Sequence, residues 1–227
     1  LNWLMAQNKK VVIVTGSTYE RLFDTALSEE LALPLRNSPN RHIFSENCLF
    51  YNDKPVNYNG IPEHIKQYIA KFLHEKGWGE FDDGKRPGIM FVKINIGRVE
   101  AELTASELKA SFVKLGYSFD VSISRLSGLD RIWTIRIYTI DKSFILKQDH
   151  CVRISADASL VLFDDGGKFG VDQSLVSAAK GAIKVNVGEH IMSSDPDMYQ
   201  LRTKNENGAR LTIEALVAST VKEIQAD

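Results

Sequence analysis

From Tyr117 to Ser124 the residues alternate strictly, with Tyr117, Phe119, Val121 and Ile123 on one parity and Ser118, Asp120, Ser122 and Ser124 on the other. Successive strand residues point to opposite faces, so this pattern demands a strand with one apolar face in a core and one polar face turned from it. The stretch before it carries the same alternation: Met90, Val92, Ile94 and Ile96 against Phe91, Lys93 and Asn95. Between the two, Thr104 and Glu107 have capping-box spacing, and Leu103 and Leu108 stand where a hydrophobic staple would put them. Leu108, Phe112 and Leu115 continue at helical spacing until Gly116. After the turn Ser127-Gly128-Leu129-Asp130, residues Ile132–Ile140 are rich in β-branched and aromatic types, as a strand requires.

Gly88–Ile140 therefore reads strand, helix, strand, strand, and the rest of the chain is arranged around it. The block resembles half of a ferredoxin-like or RNA-recognition fold; a likeness at that level implies no function. Upstream, the apolar run Lys10–Thr15 ended by Gly16 predicts a strand buried on both faces, and Ser17 and Glu20 predict a capping box on the next helix. Residues 34–60 are irregular, with His42–Tyr51 and Val56–Tyr58 placed to pair across Asn52–Pro55. Pro62 is positioned to open a helix whose apolar stripe is Ile65, Tyr68, Ile69, Phe72 and Leu73, with Gly77 as its cap. Downstream, Phe144–Leu146, Cys151–Ser155, Leu160–Phe163 and Ala182–Val187 read as strands. A short helix follows Asp172, and an amphipathic helix closes the chain over Leu211–Ile224. The fold class is α+β: a mostly antiparallel mixed sheet, a central β-α-β-β block and flanking amphipathic helices. The glycine-rich, charged stretch 78–87 divides the chain into an N-terminal layer or subdomain, 1–77, and a main domain, 88–227.

The balance of 28 basic and 29 acidic residues lacks the basic excess of proteins that grip nucleic acid mainly by its phosphates. Two cysteines, Cys48 and Cys151, can make neither a disulfide framework nor a four-cysteine zinc site. No run nears the roughly 18 apolar residues of a membrane span, so no membrane partner is expected and the location read is cytoplasmic.

Candidate chemistry is sparse. Gly16, Ser17 and Thr18, at a strand-to-helix turn, are the anion-binding candidates, although the turn lacks the remaining glycines of a dinucleotide fingerprint and the lysine of a P-loop. Glu100, Glu102, Asp164, Asp165, Asp195 and Asp197 are the carboxylates that could hold Mg²⁺ for a phosphodiester or nucleotide reaction. Each also has an ordinary role as a helix-dipole or turn residue. Asp82 and Asp83 stand in the polar linker. The five histidines, His42, His64, His74, His150 and His190, show no metal-ligand spacing. Phe91, Lys93, Asn95, Arg136 and Tyr138 interleave aromatic and basic groups, as single-stranded nucleic acid requires of a sheet surface. A second core layer over that face is the competing reading, and it would make the block scaffold only. Good structural signals without converging chemistry point to a non-catalytic binding or assembly protein, with a protein partner or self-association. The alternatives are a metal-dependent, nuclease-like enzyme acting on a phosphodiester or nucleotide, and a nucleic-acid binder.

Overall fold

A computed structural model of the chain describes residues 1–23, 37–77, 81–82, 88–94, 97–125, 133–147, 154, 159–163, 165–166, 168–188, 198–201 and 205–226. Among them the elements run α1 (Asn2–Ala6), β1 (Val11–Val14), α2 (Tyr19–Arg21), β2 (Arg41–Ser45), β3 (Phe50–Tyr51) and β4 (Lys54–Pro55). Next come α3 (Glu63–Lys76), β5 (Phe81–Asp82), β6 (Ile89–Ile94), α4 (Arg98–Lys114), β7 (Asp120–Arg125) and β8 (Trp133–Tyr138). A 3₁₀ turn (Lys142–Leu146), β9 (Leu160–Phe163), α5 (Gln173–Ala178), β10 (Ile183–Asn186), β11 (Met198–Gln200) and α6 (Asn205–Ala226) complete the order. The fold is mixed α and β, with several small sheets, some parallel. No helix among the described residues is long and apolar enough to cross a membrane.

The chain divides into two compact units. The first comprises Leu1–Val56, Lys142–Asp165 and Val176–Asp227; the second comprises Asn57–Asp141 and Gly166–Leu175. The boundary read at 78–87 falls inside the second unit, because α3 shares a core with the strands that follow it.

In the second unit the central block forms as β6-α4-β7-β8, with strand order β5-β6-β8-β7 and antiparallel neighbours throughout. The apolar parity faces the helices. Met90, Val92, Val121, Ile123, Ile135 and Ile137 pack with Ala101, Ala105, Leu108 and Phe112 of α4 and Ile65, Ile69 and Leu73 of α3. Gly77 takes φ +66, the left-handed conformation that ends α3 without a Cβ clash. Pro62 sits one place earlier than read, as the extended N-cap, with its carbonyl accepting from Ile65 and Lys66 N–H.

The start of α4 also corrects the sequence reading. The helix begins at Arg98, after Gly97, so Thr104 lies inside it and its hydroxyl donates to the Glu100 carbonyl at 2.8 Å instead of capping. Nothing in Arg98–Leu103 resists helix, and the Arg98–Glu102 ion pair at 2.8 Å, one turn apart, supports it. Leu103 is therefore exposed rather than stapled to Leu108.

In the first unit β1 and β2 are parallel, while β3 and β4 continue antiparallel from β2. A second sheet, β11-β10-β9, is parallel throughout. All four residues of β1 are half-buried rather than enclosed on both faces. The cap of α2 is Thr18, one residue later than read; its Oγ1 accepts from Arg21 N–H at 3.1 Å. The tight turn at Asn52 and Asp53, both at positive φ, pairs β3 with Lys54–Pro55 rather than with Val56–Tyr58. Phe144–Leu146, read as a strand, lies in the 3₁₀ turn; apolar runs this short do not distinguish the two. Of Cys151–Ser155, only Ile154 is among the described residues.

Two predictions follow from the packing. Phe112 is fully buried between α4 and the sheet, so Phe112→Ala should cost about 3–5 kcal/mol in urea unfolding. In the first unit, burial first, then Lys10 and Arg41, hold the His42 ring below its ordinary 6.5. The unfolded chain thus binds a proton that the folded chain refuses, and the related stability is full above pH 6.5 and lost as pH falls through it towards the folded value. Replacing His42 with Gln should flatten that acid limb of the urea midpoint.

Candidate functional site

The polar parity of the second unit's sheet is set by strand register. One row across the strands holds Asp82, Phe91, Arg136 and Ser122, and the adjacent row holds Lys93, Thr134 and Ser124. Tyr138 and Asp120 stand opposite one another in the next row. The sequence presents these residues as the face turned from the core, and a face left to water would leave them open. Instead Ser122 is 2% exposed and Thr134 is 5% exposed.

Burial gives this face its chemical interest. The hydroxyls of Ser122, Ser124 and Thr134 are buried without a hydrogen-bond partner among the described residues. A buried polar group left unpaired costs roughly 1–3 kcal/mol, so an ordinary second core layer would carry Val or Ile at these places, as the opposite parity does. Three hydroxyls in two adjacent rows, with the half-buried Arg136 between Phe91 and Ser122, make a polar interior surface. Each hydroxyl can donate and accept, and a guanidinium binds phosphate or carboxylate oxygens in a fixed fork. This parity thus carries buried polar groups where the opposite parity is apolar.

The first unit offers a different kind of place. In open parallel sheets ligands bind beyond the carboxyl ends of the strands. Past the end of β1 lie Thr15, Gly16, Ser17 and Thr18, where Ser17 N–H donates to Thr15 Oγ1 at 3.0 Å. Past the end of β2, Glu46, Asn47 and Cys48 take φ of 50, 56 and 69, three consecutive left-handed residues without a glycine. Left-handed conformations in such residues cost roughly 1–2 kcal/mol each and concentrate at functional sites. This turn is fixed to the β1 loop: Glu46 N–H donates to the Ser17 carbonyl and Asn47 N–H to the Thr15 carbonyl, both at 3.0 Å. At the end of β10, Asn186 is fully buried, with Nδ2 donating to Gln200 Oε1 at 2.7 Å and Oδ1 accepting from Gly188 N–H at 2.8 Å. Asp165 follows β9 and is half-buried, and Lys142 at the head of the 3₁₀ turn is buried.

The other candidates separate from these places. Glu100 is exposed and Glu102 is tied to Arg98, both on α4. Asn95, Asp83, Asp164, Asp195, Asp197, His150 and His190 lie outside the described residues. No group of three metal-ligating side chains occurs among the described residues. His42 Nδ1 is 2.7 Å from the Tyr51 hydroxyl, and His64 Nε2 is 3.1 Å from that of Tyr117. Sequence reasoning passed over Ser122, Ser124, Thr134, Lys142 and Asn186. Serines on a strand's outer parity normally mean solvent, and the signal to weigh was Thr134 and Arg136 sharing that parity in an otherwise apolar run.

No family model matches the sequence, and no curated protein matches it. Among solved structures the chain is similar in fold to the IMP-bound form of a mutant IMP-nucleotidase from Plasmodium falciparum, with a TM-score of 0.53 and 11% identity. The match covers 81% of this chain and 56% of that one, so the chain spans little more than half the length of the protein it resembles. A fold shared with a nucleotidase overturns the reading of a non-catalytic binding or assembly protein, which rested on the lack of a recognisable motif.

Proposed function

We propose that this chain acts in the hydrolysis of a nucleotide phosphate monoester. The observation that carries this reading is the fold it shares with the IMP-nucleotidase over 81% of its length. The polar sheet face supports it. Arg136 would pair with an anionic or strongly polar group of the ligand, and Ser122, Ser124 and Thr134 would exchange hydrogen bonds with it that they do not make among the described residues.

In the first unit, the strand ends hold residue types that phosphoryl chemistry uses. Catalysis of that kind is chiefly positioning and charge stabilisation. The Gly16 and Thr18 N–H groups and the Ser17 and Thr18 hydroxyls would hold phosphate oxygens, on a loop tied to the Glu46–Cys48 turn. Lys142 would supply a positive charge. Mg²⁺ is bound by one or two carboxylates with waters and phosphate oxygens, and Asp165 is a donor of that type. When bound there, Mg²⁺ supplies charge neutralisation to the phosphate oxygens.

Release of inorganic phosphate from nucleoside 5′-monophosphates in the presence of Mg²⁺ tests the reading. Phosphate release is the expected result, and its absence with every nucleotide, together with no thermal stabilisation by any of them, overturns it. Thr134→Val gives a sharper form. Loss of one hydrogen bond to a charged ligand, about 1.5–3 kcal/mol, should weaken nucleotide binding roughly 10- to 100-fold. The same substitution removes a buried, unpaired hydroxyl and should raise unfolding stability by about 1 kcal/mol.

A further inference from the structure

Helix α4 is apolar on two opposite sides. Ala101, Ala105, Leu108 and Phe112 fill the core on one. At 3.6 residues per turn, Val99, Leu103, Ser106, Ala110 and Val113 fall on the other. The outer side of a helix in a monomeric protein is expected to be polar. Here Val99 is 74% exposed, Leu103 61% and Val113 65%, and no charged residue interrupts the stripe. Its steps of four, three, four and three residues are those of a helix-pairing seam, and the small Ser106 and Ala110 at its middle allow close approach of a second backbone.

The flanking charges indicate what pairs with it. They are sorted along the axis. The first half carries Glu100 beside the closed Arg98–Glu102 pair, and the second half carries Lys109 and Lys114, with Glu107 held by Lys76 at 2.9 Å. The stripe thus runs from net negative to net positive. A parallel copy would set like charge against like. An antiparallel copy brings the Glu100 end of each helix to the Lys114 end of the other, twice, as a two-fold axis requires.

We propose that the outward face of α4 is the contact of a two-fold symmetric homodimer in which the two α4 helices cross antiparallel. One helix pair makes a small interface, so the association is concentration-dependent. The proposal stands independently of the nucleotidase reading.

Sedimentation equilibrium of the full chain over a wide concentration range is the test. The mass should rise from 25.5 kDa towards twice that value as concentration increases. Leu103→Glu, at an exposed position that leaves the core intact, should hold the chain monomeric with an unchanged circular dichroism spectrum. Either Glu100→Lys or Lys114→Glu alone turns two attractive contacts repulsive and should weaken the dimer roughly tenfold, from about 0.2–1 kcal/mol per surface pair. The double variant should restore it. A monomer at every concentration, or a dimer indifferent to Leu103→Glu, overturns the proposal. A double variant that fails to recover rules out the antiparallel arrangement.

Discussion

The second unit depends on one asymmetry, the difference between the two faces of the β6-β8-β7 sheet. On one parity Met90, Val92, Val121, Ile123, Ile135 and Ile137 lock against α3 and α4, and burial of such side chains is worth roughly 1.5–3 kcal/mol each. That packing fixes register, because slipping any strand by one residue would carry its apolar set to the opposite face. With register fixed, the positions of Arg136, Ser122, Ser124 and Thr134 follow: they share the other parity in adjacent rows. The apolar face supplies the stability that lets the other face keep buried, unpaired hydroxyls.

A similar local cost appears in the first unit. The Glu46–Cys48 turn holds three left-handed residues in succession, all buried, and two of their N–H groups anchor the loop after β1. Asn186 is fully buried yet satisfied through Gln200 and Gly188. Buried polar atoms and strained backbone thus occur at the ends of parallel-paired strands, one pair in a mixed sheet and one in a parallel sheet. The two units therefore share a trait: each carries a local cost, unpaired buried hydroxyls in one and left-handed backbone in the other.

The regular elements were legible in the sequence because periodicity reports burial directly. The Tyr117–Ser124 alternation, the stripe of α3 and the β-branched run before Ile140 each became the element they imply. Boundaries were less legible. Thr104 has the spacing of a cap, but its hydroxyl is satisfied inside a helix that starts earlier, and spacing alone does not tell these apart. The polar site was hidden for a related reason. Ser122 and Ser124 read as solvent-facing, and no local pattern says that a polar parity will be buried. The carboxylates drew attention by their pairing, yet Glu100 and Glu102 serve α4. The likeness to a nucleotidase lies in the fold, at 11% identity, below what residue patterns reveal.

The central claim is that the buried polar parity of the second unit is a ligand surface rather than a layer of scaffold. Backbone amide NMR shifts during titration with a nucleoside 5′-monophosphate measure this residue by residue. The predicted result is saturable shifts at Ser122, Ser124, Thr134 and Arg136, with Val121, Ile135 and Ile137 moving less. Saturable binding that leaves those four residues unmoved would contradict it.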